Sequence, residues 1–421
     1  MGRHAVLPVL AGLAGLVMAG MLLIAMPVPV ASAADRITLT YAGRMGPTEL
    51  ATYQKLLEQY KADHPNVEIR IENYDASVYD DKILVEMAAG NPPDVMYIHY
   101  SRFPQYAKSG ALYDLTDFIK RDKFDLDIFF PVTRWQMTYK GKEGLAIPRE
   151  TSSIVMFYNA ELFDTYGLAY PSLQWTYDTV LDVAKKLTKD TNNDGTPDTW
   201  GIIAPWQWFQ RVNVVWAFGG SILNSDYTAF TMHQEPAVRA IQWIADLMHR
   251  YKVAPTNLYY SFTTGKAGMF FAGYWDIGYH KNNKFAWDAQ VLPSGPAGRF
   301  VRTGTGGYAI PAGSKQKEAA WDLLKFLASY EAGVAIGESG TAIPAHRQAA
   351  LHPSVISGIP KNRRAFVESL QWGRIDPVTT VWKEMNDAID KALSPVWAGT
   401  EDAQHALSTV EPKINAILKQ Q

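Results

Sequence analysis

At 421 residues the chain is too long for one ordinary hydrophobic core, so two lobes are expected. With 47% hydrophobic and 19% charged residues it is globular, and a formal net charge of −2 gives no electrostatic case for nucleic acid. The absence of cysteine excludes thiol nucleophiles, disulfides and cysteine-ligated metal centres.

Arg3 gives the N-terminus a positive start, and residues 6–25 form an almost unbroken apolar run. Pro27, Pro29 and the small-x-small pattern Ala31-Ser32-Ala33 then favour a cleaved export signal over a retained membrane anchor. The expected leader is 1–33, with the mature chain starting near Ala34. Lacking cysteine after the apolar run, that chain reads as a free periplasmic protein and not a lipoprotein.

Residues 36–41 alternate as a strand, and helical spacing follows over 48–64 with Thr48 placed to cap it. A second strand over 67–71, a helix over 79–89 and an apolar third strand over 94–98 complete a parallel strand–helix–strand pattern. Ligands of such sheets bind beyond the carboxyl ends of the strands. That rule points at Arg44 after the first strand and at His99, Tyr100, Ser101 and Arg102 after the third.

Residues 144–148 suggest a short extended piece, 149–153 a polar break, and 154–158 a new strand, together suiting a crossing between lobes. Thr176 is placed to cap an amphipathic helix ending at Leu187, with Trp175 before it as a packing residue. Asp190, Asn192, Asp194 and Asp198 occupy the first, third, fifth and ninth positions of a calcium-type loop with Gly195 at the sixth. Gly201 stands at the twelfth, where a bidentate glutamate belongs, so a polar turn without metal is preferred over a structural calcium site.

Trp206 and Trp208 sit beside Gln207, Gln210 and Arg211 near a loop, the company that stacking on a sugar needs, whereas Trp216 reads equally as core. A helix is expected over 235–251. The stretch 266–278 places a short buried strand at Met269-Phe270-Phe271, then Tyr274, Trp275 and Asp276 on a glycine-flanked loop. The ring of Trp275 can cover the C–H face of a pyranose while Asp276 accepts from its hydroxyls. Taken alone, Trp275 reads as core; the rest of the chain reverses that. Beyond it come a strand over 289–292, an extended piece over 300–310 with Gly304, Gly306 and Gly307, a helix over 317–329 and a break over 337–344. The remainder from Ala345 reads as helical, ending in an amphipathic helix over 403–418.

No nucleophile elbow, zincin or phosphate-loop pattern is present, and the nine histidines are scattered. Catalysis is unsupported, so the chain is not expected to be an enzyme.

Several blocks resemble extracellular solute-binding protein family 1, the sugar-binding subunits of ABC importers that include the maltodextrin-binding proteins. They are Asn91-Pro92-Pro93-Asp94-Val95 running to Arg102-Phe103 and Tyr106-Ala107-Lys108-Ser109-Gly110, and Ile147-Pro148 with Phe157-Tyr158-Asn159. The stretch from Gly268 to Trp275, then Gly306 to Pro311 with Glu318-Ala319-Ala320-Trp321, and Thr341-Ala342-Ile343-Pro344, complete the set in the family's order.

The resemblance implies a two-lobe α/β binding protein, type II-like, each lobe a mostly parallel sheet flanked by helices, with the ligand cleft between them. The segments expected are 34–147 and 303–338 for the N-lobe, 148–302 and 339–421 for the C-lobe. By position, ligand contacts would come from Arg44, Tyr100, Ser101, Arg102, Arg149 to Ser152, Trp206 or Trp208, Trp275 with Asp276, Gly307, Tyr308, and Arg374 or Trp382. The implied role is capture of an oligo- or disaccharide by hinge closure and delivery to ABC permease subunits. The protein is expected to act as a monomer, without nucleic acid and without a required cofactor. Maltodextrin binders carry an acidic residue near the position of Ser101, and Arg44, Arg102, Arg149 and Arg374 surround the presumed cleft here. An anionic ligand such as a uronide or glycerophosphate therefore stands as the alternative, and a secreted carbohydrate-active enzyme as a further one.

Overall fold

A computed structural model describes residues 36–377 and 379–421. The expected leader and its cleavage pattern lie outside the described residues. Strands β1 (Ile37–Gly43), β2 (Val67–Asn73) and β3 (Val95–His99) pair in parallel with β1 in the middle. The helices Pro47–Asp63 and Tyr79–Ala88 make the crossovers that parallel pairing requires. Gly46, not Thr48, caps the first of them, because Pro47 occupies its first turn. Proline has no N–H to satisfy there and a φ already set for the helix.

The remaining strands are β4 (Ile147–Asn159), β5 (Met269–Gly273), β6 (Trp287–Val291), β7 (Val301–Ala309), β8 (Ile343–Pro344) and β9 (Gly373–Ile375). The sheet order is β2-β1-β3-β7-β4-β5, with β6 and β8 on β4 and β9 on β7. Strand β9 pairs in parallel, whereas β7 runs antiparallel to β3 and β4, and β4 antiparallel to β5, β6 and β8. Pairing is thus mixed, where the sequence suggests mostly parallel sheets, because β7 returns from far along the chain against strands already laid down.

The polar stretch after Pro148 is not a break. It is the middle of one 13-residue strand with an irregularity between Pro148 and Glu150. Thr151, Ser152 and Ser153 sit opposite Thr305, Gly304 and Thr303 of β7, and the Ser153 hydroxyl donates to the Phe366 carbonyl at 2.7 Å. Hydroxyls that find partners cost little to bury, so the strand continues. Ile147 at its start belongs to one core, with Leu39, Tyr41, Tyr53, Leu56 and Trp321. Ile154 and Met156 further along belong to a second, with Trp216, Ile241, Leu393 and Leu407. Strand β7 joins the same two, Val301 in the second core and Tyr308 in the first.

Local signals place the second core's helices well. Thr176 caps Tyr177–Leu187 by accepting from the Thr179 N–H at 3.2 Å, and Trp175 is buried beside it. The last helix, Ala403–Leu418, buries Leu407 and Ile414. Trp216 is core, at 1% exposure.

The first core contains a charge. Arg149 is buried, its Nε donating to the Tyr53 hydroxyl at 2.6 Å and its guanidinium paired with Glu49. The guanidinium lies 5.0 Å from the Tyr53 and Tyr97 ring centroids, a cation–π arrangement. Tyr41 stacks on Tyr53, and the Tyr53 and Tyr308 hydroxyls are hydrogen-bonded. Removing one partner of such a pair strands the other charge in low dielectric. Arg149→Met is expected to cost about 3–5 kcal/mol, measured as a lower urea midpoint with an unchanged slope.

Candidate functional site

A cavity of about 170 Å³ opens where β1, β3, β4 and β7 meet the turn after β5. Its polar wall comes from alternation along strands, which points residues two apart to one face. Tyr97 and His99 of β3, and Glu150 and Ser152 of β4, all line it, joined by Arg44 just past β1. Gly304 and Gly306 of β7 form the floor. A Cβ on Gly306 would come within 2.5 Å of the Tyr97 ring, and one on Gly304 within 2.9 Å of the Tyr100 ring. These glycines let rings lie flat against the strand. The facing wall is Tyr274 and Trp275, on a single turn of 3₁₀ helix directly after β5.

The Tyr97 hydroxyl bridges the two charges of this cavity. It accepts from Arg44 Nη2 at 3.2 Å and donates to Glu150 Oε1 at 3.2 Å, while the Arg44 guanidinium lies 4.9 Å from the Tyr97 ring centroid. His99 Nδ1 is 2.7 Å from the Ser101 hydroxyl. Burial, then Arg44, Arg302 and Arg102, push the His99 imidazole well below its ordinary range. A neutral ring has one donor and one acceptor nitrogen. The cavity thus offers one cation, one anion, neutral donors and acceptors, and an indole. That is a set for hydroxyls and a C–H face.

Ser101 carries the site into a second cavity of about 230 Å³, lined by Ser101, Arg102, Gln105, Thr379, Trp382 and Lys383 among others. Arg102 is held by Asp80, Nε to Oδ2 at 3.4 Å. Trp382 meets Trp208 edge to face, centroids 4.9 Å apart.

Of the residues singled out by sequence, the first cavity gathers Arg44, His99, Glu150, Thr151, Ser152, Tyr274 and Trp275, and the second Ser101, Arg102 and Trp382. Tyr100, Arg149, Trp206, Trp208, Asp276, Gly307, Tyr308 and Arg374 stand back from both. Tyr100 is buried, donating to Asp376 at 2.5 Å and accepting from Arg302, which itself pairs with Asp376 at 2.9 Å. Tyr308 is fully buried and Arg149 lies in the core described above. A Cβ on Gly307 would meet Met137 at 3.0 Å and the Ile147 carbonyl at 3.1 Å, an interior environment. Arg374 lies over Trp216 and Phe300, at 5.0 and 5.6 Å. Trp208 backs Trp382, and Trp206 donates its indole N–H to the Leu258 carbonyl at 2.9 Å. Asp276 accepts from the Gly273 N–H at 2.8 Å, fixing the turn that presents Trp275.

Sequence reasoning missed Tyr97 and Thr341. Tyr97 was legible: it lies two residues before His99 and so shares its face. Thr341 had no local signal, since β8 brings it in from far along the chain.

In the Asp190–Asp198 loop the acceptors are turned onto the backbone. Asp190 accepts from the N–H groups of Asp194 and Gly195 at 3.2 and 2.9 Å, Asp194 from Thr196 at 2.8 Å, and Asp198 from Thr191 at 2.7 Å. Asn192 accepts from Asp194 at 2.9 Å. Among the described residues, no group of three or more acidic or histidine side chains is arranged to hold a metal ion.

The profile of the bacterial extracellular solute-binding proteins matches residues 46–334. The maltotriose-binding protein of Pyrococcus abyssi is 25% identical over 296 residues, covering 67% of this chain and 60% of that one. Among solved structures, an ABC substrate-binding protein from Listeria monocytogenes in complex with cycloalternan is 27% identical, with a TM-score of 0.82 and coverage of 91% and 100%. The cyclic α-maltosyl-1,6-maltose binding protein from Arthrobacter globiformis shares the fold at 20% identity, with a TM-score of 0.79 and coverage of 91% and 100%.

Asp276 gives the site a pH signature. Burial pushes its carboxyl up from 3.8 to about 6, with the Gly273 N–H pulling the other way. A carboxyl with a raised folded pKa holds its proton more tightly in the folded chain. Its contribution is most favourable below the unfolded value and is lost as pH rises through the folded one. Asp276→Asn removes that loss. Its melting temperature relative to the unsubstituted chain should rise as the pH is raised from below 3.8 to above 6, as followed by calorimetry.

Proposed function

The chain belongs to the bacterial extracellular solute-binding protein family, and on that premise we propose that it captures a neutral oligosaccharide by closing its two halves around it. Family members are exported binding proteins that serve ABC importers, so the partners are a carbohydrate and membrane permease subunits. Among the described residues no helix is long and apolar enough to cross a membrane. The finer reading is ours: a periplasmic monomer with a cleaved leader, no nucleic-acid partner, no catalysis and no required cofactor. The lobes would divide at the crossing strands, β4 and β7.

The observation that carries the reading is the Arg44–Tyr97–Glu150 bridge opposite Trp275. The arginines that make the cleft look cationic in sequence are engaged by the protein itself. Arg149 has Glu49 and Glu150, Arg102 has Asp80, and Arg374 lies on aromatic rings. In the first cavity Arg44 is linked to Glu150 through the Tyr97 hydroxyl. An anion entering there would meet that carboxylate as well as the guanidinium, whereas a neutral polyol can donate to one and accept from the other. Trp275 would cover the sugar's apolar face. Closure then excludes water, which strengthens each polar contact.

The test is ligand-induced thermal shift against neutral oligosaccharides, uronides and glycerophosphates, with each ligand recovered and weighed by mass spectrometry. A neutral sugar at a hundred times its dissociation constant should stabilise the chain by about 3 kcal/mol, and should be recovered intact. Stabilisation by the acidic ligands alone would overturn the neutral reading, and cleaved product would overturn binding without turnover. Trp275→Ala should weaken sugar binding by about 1.5–3 kcal/mol, roughly ten- to a hundredfold, as read by titration calorimetry.

A further inference from the structure

Most exposed aromatic rings on a surface are single and unremarked. Tyr259 is different because it is both exposed, at 82%, and held. Its own N–H donates to Asn257 Oδ1 at 3.0 Å, and the Tyr260 N–H donates to the Asn257 carbonyl at 3.0 Å, closing a turn around it. The Trp206 indole N–H clamps the preceding carbonyl, that of Leu258. The Trp206 ring then meets Tyr259 edge to face, with centroids 5.9 Å apart and planes at 81°. The perpendicular neighbour braces the phenol while most of its surface stays open to solvent.

This braced ring is joined to the first cavity through the start of one helix. Trp206 lies just before the helix Trp208–Ala217, and its carbonyl accepts from Arg211 Nη1 at 3.0 Å. Phe209, in the first turn of the same helix, packs edge to face on the cavity-wall ring of Trp275, centroids 5.4 Å apart. Two ring pairs, Trp275 with Phe209 and Trp206 with Tyr259, are thus tied to the start of one helix three residues apart. The first pair reaches the cavity and the second reaches solvent.

We propose that Tyr259 is an outlying stacking platform for the far units of an oligosaccharide whose near unit lies against Trp275. The proposal rests on the carbohydrate reading above. Sugar rings in a linear chain present repeated C–H faces, and a braced phenol provides a matching face without first having to be ordered. The platform thus sets a preference for chain length, not for the sugar held in the cavity.

The experiment is titration calorimetry of the full chain and of Tyr259→Ala against linear malto-, galacto- and manno-oligosaccharides, each from disaccharide to hexasaccharide. The expected result is that one series binds the unsubstituted chain more tightly as it lengthens. Tyr259→Ala should then lose about tenfold in affinity for the longest members, an aromatic-pair-sized effect, and keep its affinity for the disaccharide. Tyr259→Phe should behave as the unsubstituted chain, since the ring face and not the hydroxyl does the stacking. Because the side chain is exposed, folding is not at stake, and unchanged circular dichroism verifies that. The platform is refuted if Tyr259→Ala leaves all lengths unchanged or weakens all equally, or if affinity does not grow with length. If the unsubstituted chain binds no sugar of any series, the carbohydrate reading itself fails and takes the platform with it.

Discussion

Strand β4 is the constraint on which the rest of the molecule depends. One continuous strand serves two cores, and at the irregularity between Pro148 and Glu150 it buries a guanidinium in the first of them. A charge there is tolerable only because Glu49 on a neighbouring helix, the Tyr53 hydroxyl and surrounding ring faces take it up. The same guanidinium pairs with the next residue, Glu150, at 3.2 Å, and that carboxylate also lines the cavity that holds Arg44. The position of the candidate ligand acceptor is therefore inherited from the packing of the core.

The same pair explains why arginine counting misleads. Four arginines fall near the presumed cleft by sequence position, which suggests an acidic ligand. Position along the chain, however, says nothing of what a long side chain reaches. Arg149 is 96 residues from the tyrosine that accepts its hydrogen bond, and Tyr100 is 276 from the aspartate it donates to. Two of the four are ion-paired by the protein itself, Arg374 lies over aromatic rings, and Arg44 shares its cavity with a carboxylate. Counting charge after pairing weakens the inference drawn from counting it before.

What could be read from the sequence follows the same division between local and distant causes. The Thr176 cap, the helix Ala403–Leu418 and the first three strands are set by neighbours a few residues away, and their patterns were legible. Trp275 was placed on the wall of a cavity because glycines and a short apolar strand frame it, which is again local. Tyr308 and Gly307 were not legible as interior. Their strand carries glycines that look like open backbone, yet β3 and β4 flank it and bring side chains against those gaps. The polar run 149–153 looked like a loop because its partners, β7 and the Phe366 carbonyl, lie far away.

Glycine at 304 and 306 also bears on how a closing protein can work. Two tyrosine rings, Tyr97 and Tyr100, lie against β7 where a methyl group would exclude them. One hydroxyl joins the charges of the cavity, and the other joins Arg302 to Asp376 next to β9. Both rings are thus seated on a strand that runs from one core to the other. A change in the angle between the cores would have to pass through β4 and β7, and so through the backbone on which these hydroxyls rest. Ligand contacts made at Glu150 or Arg44 are consequently made at the crossing itself and not on a distant loop. A contact at that point can favour one angle over another, because any hydroxyl that bridges the two walls is satisfied only when the crossing strands hold them at the right separation.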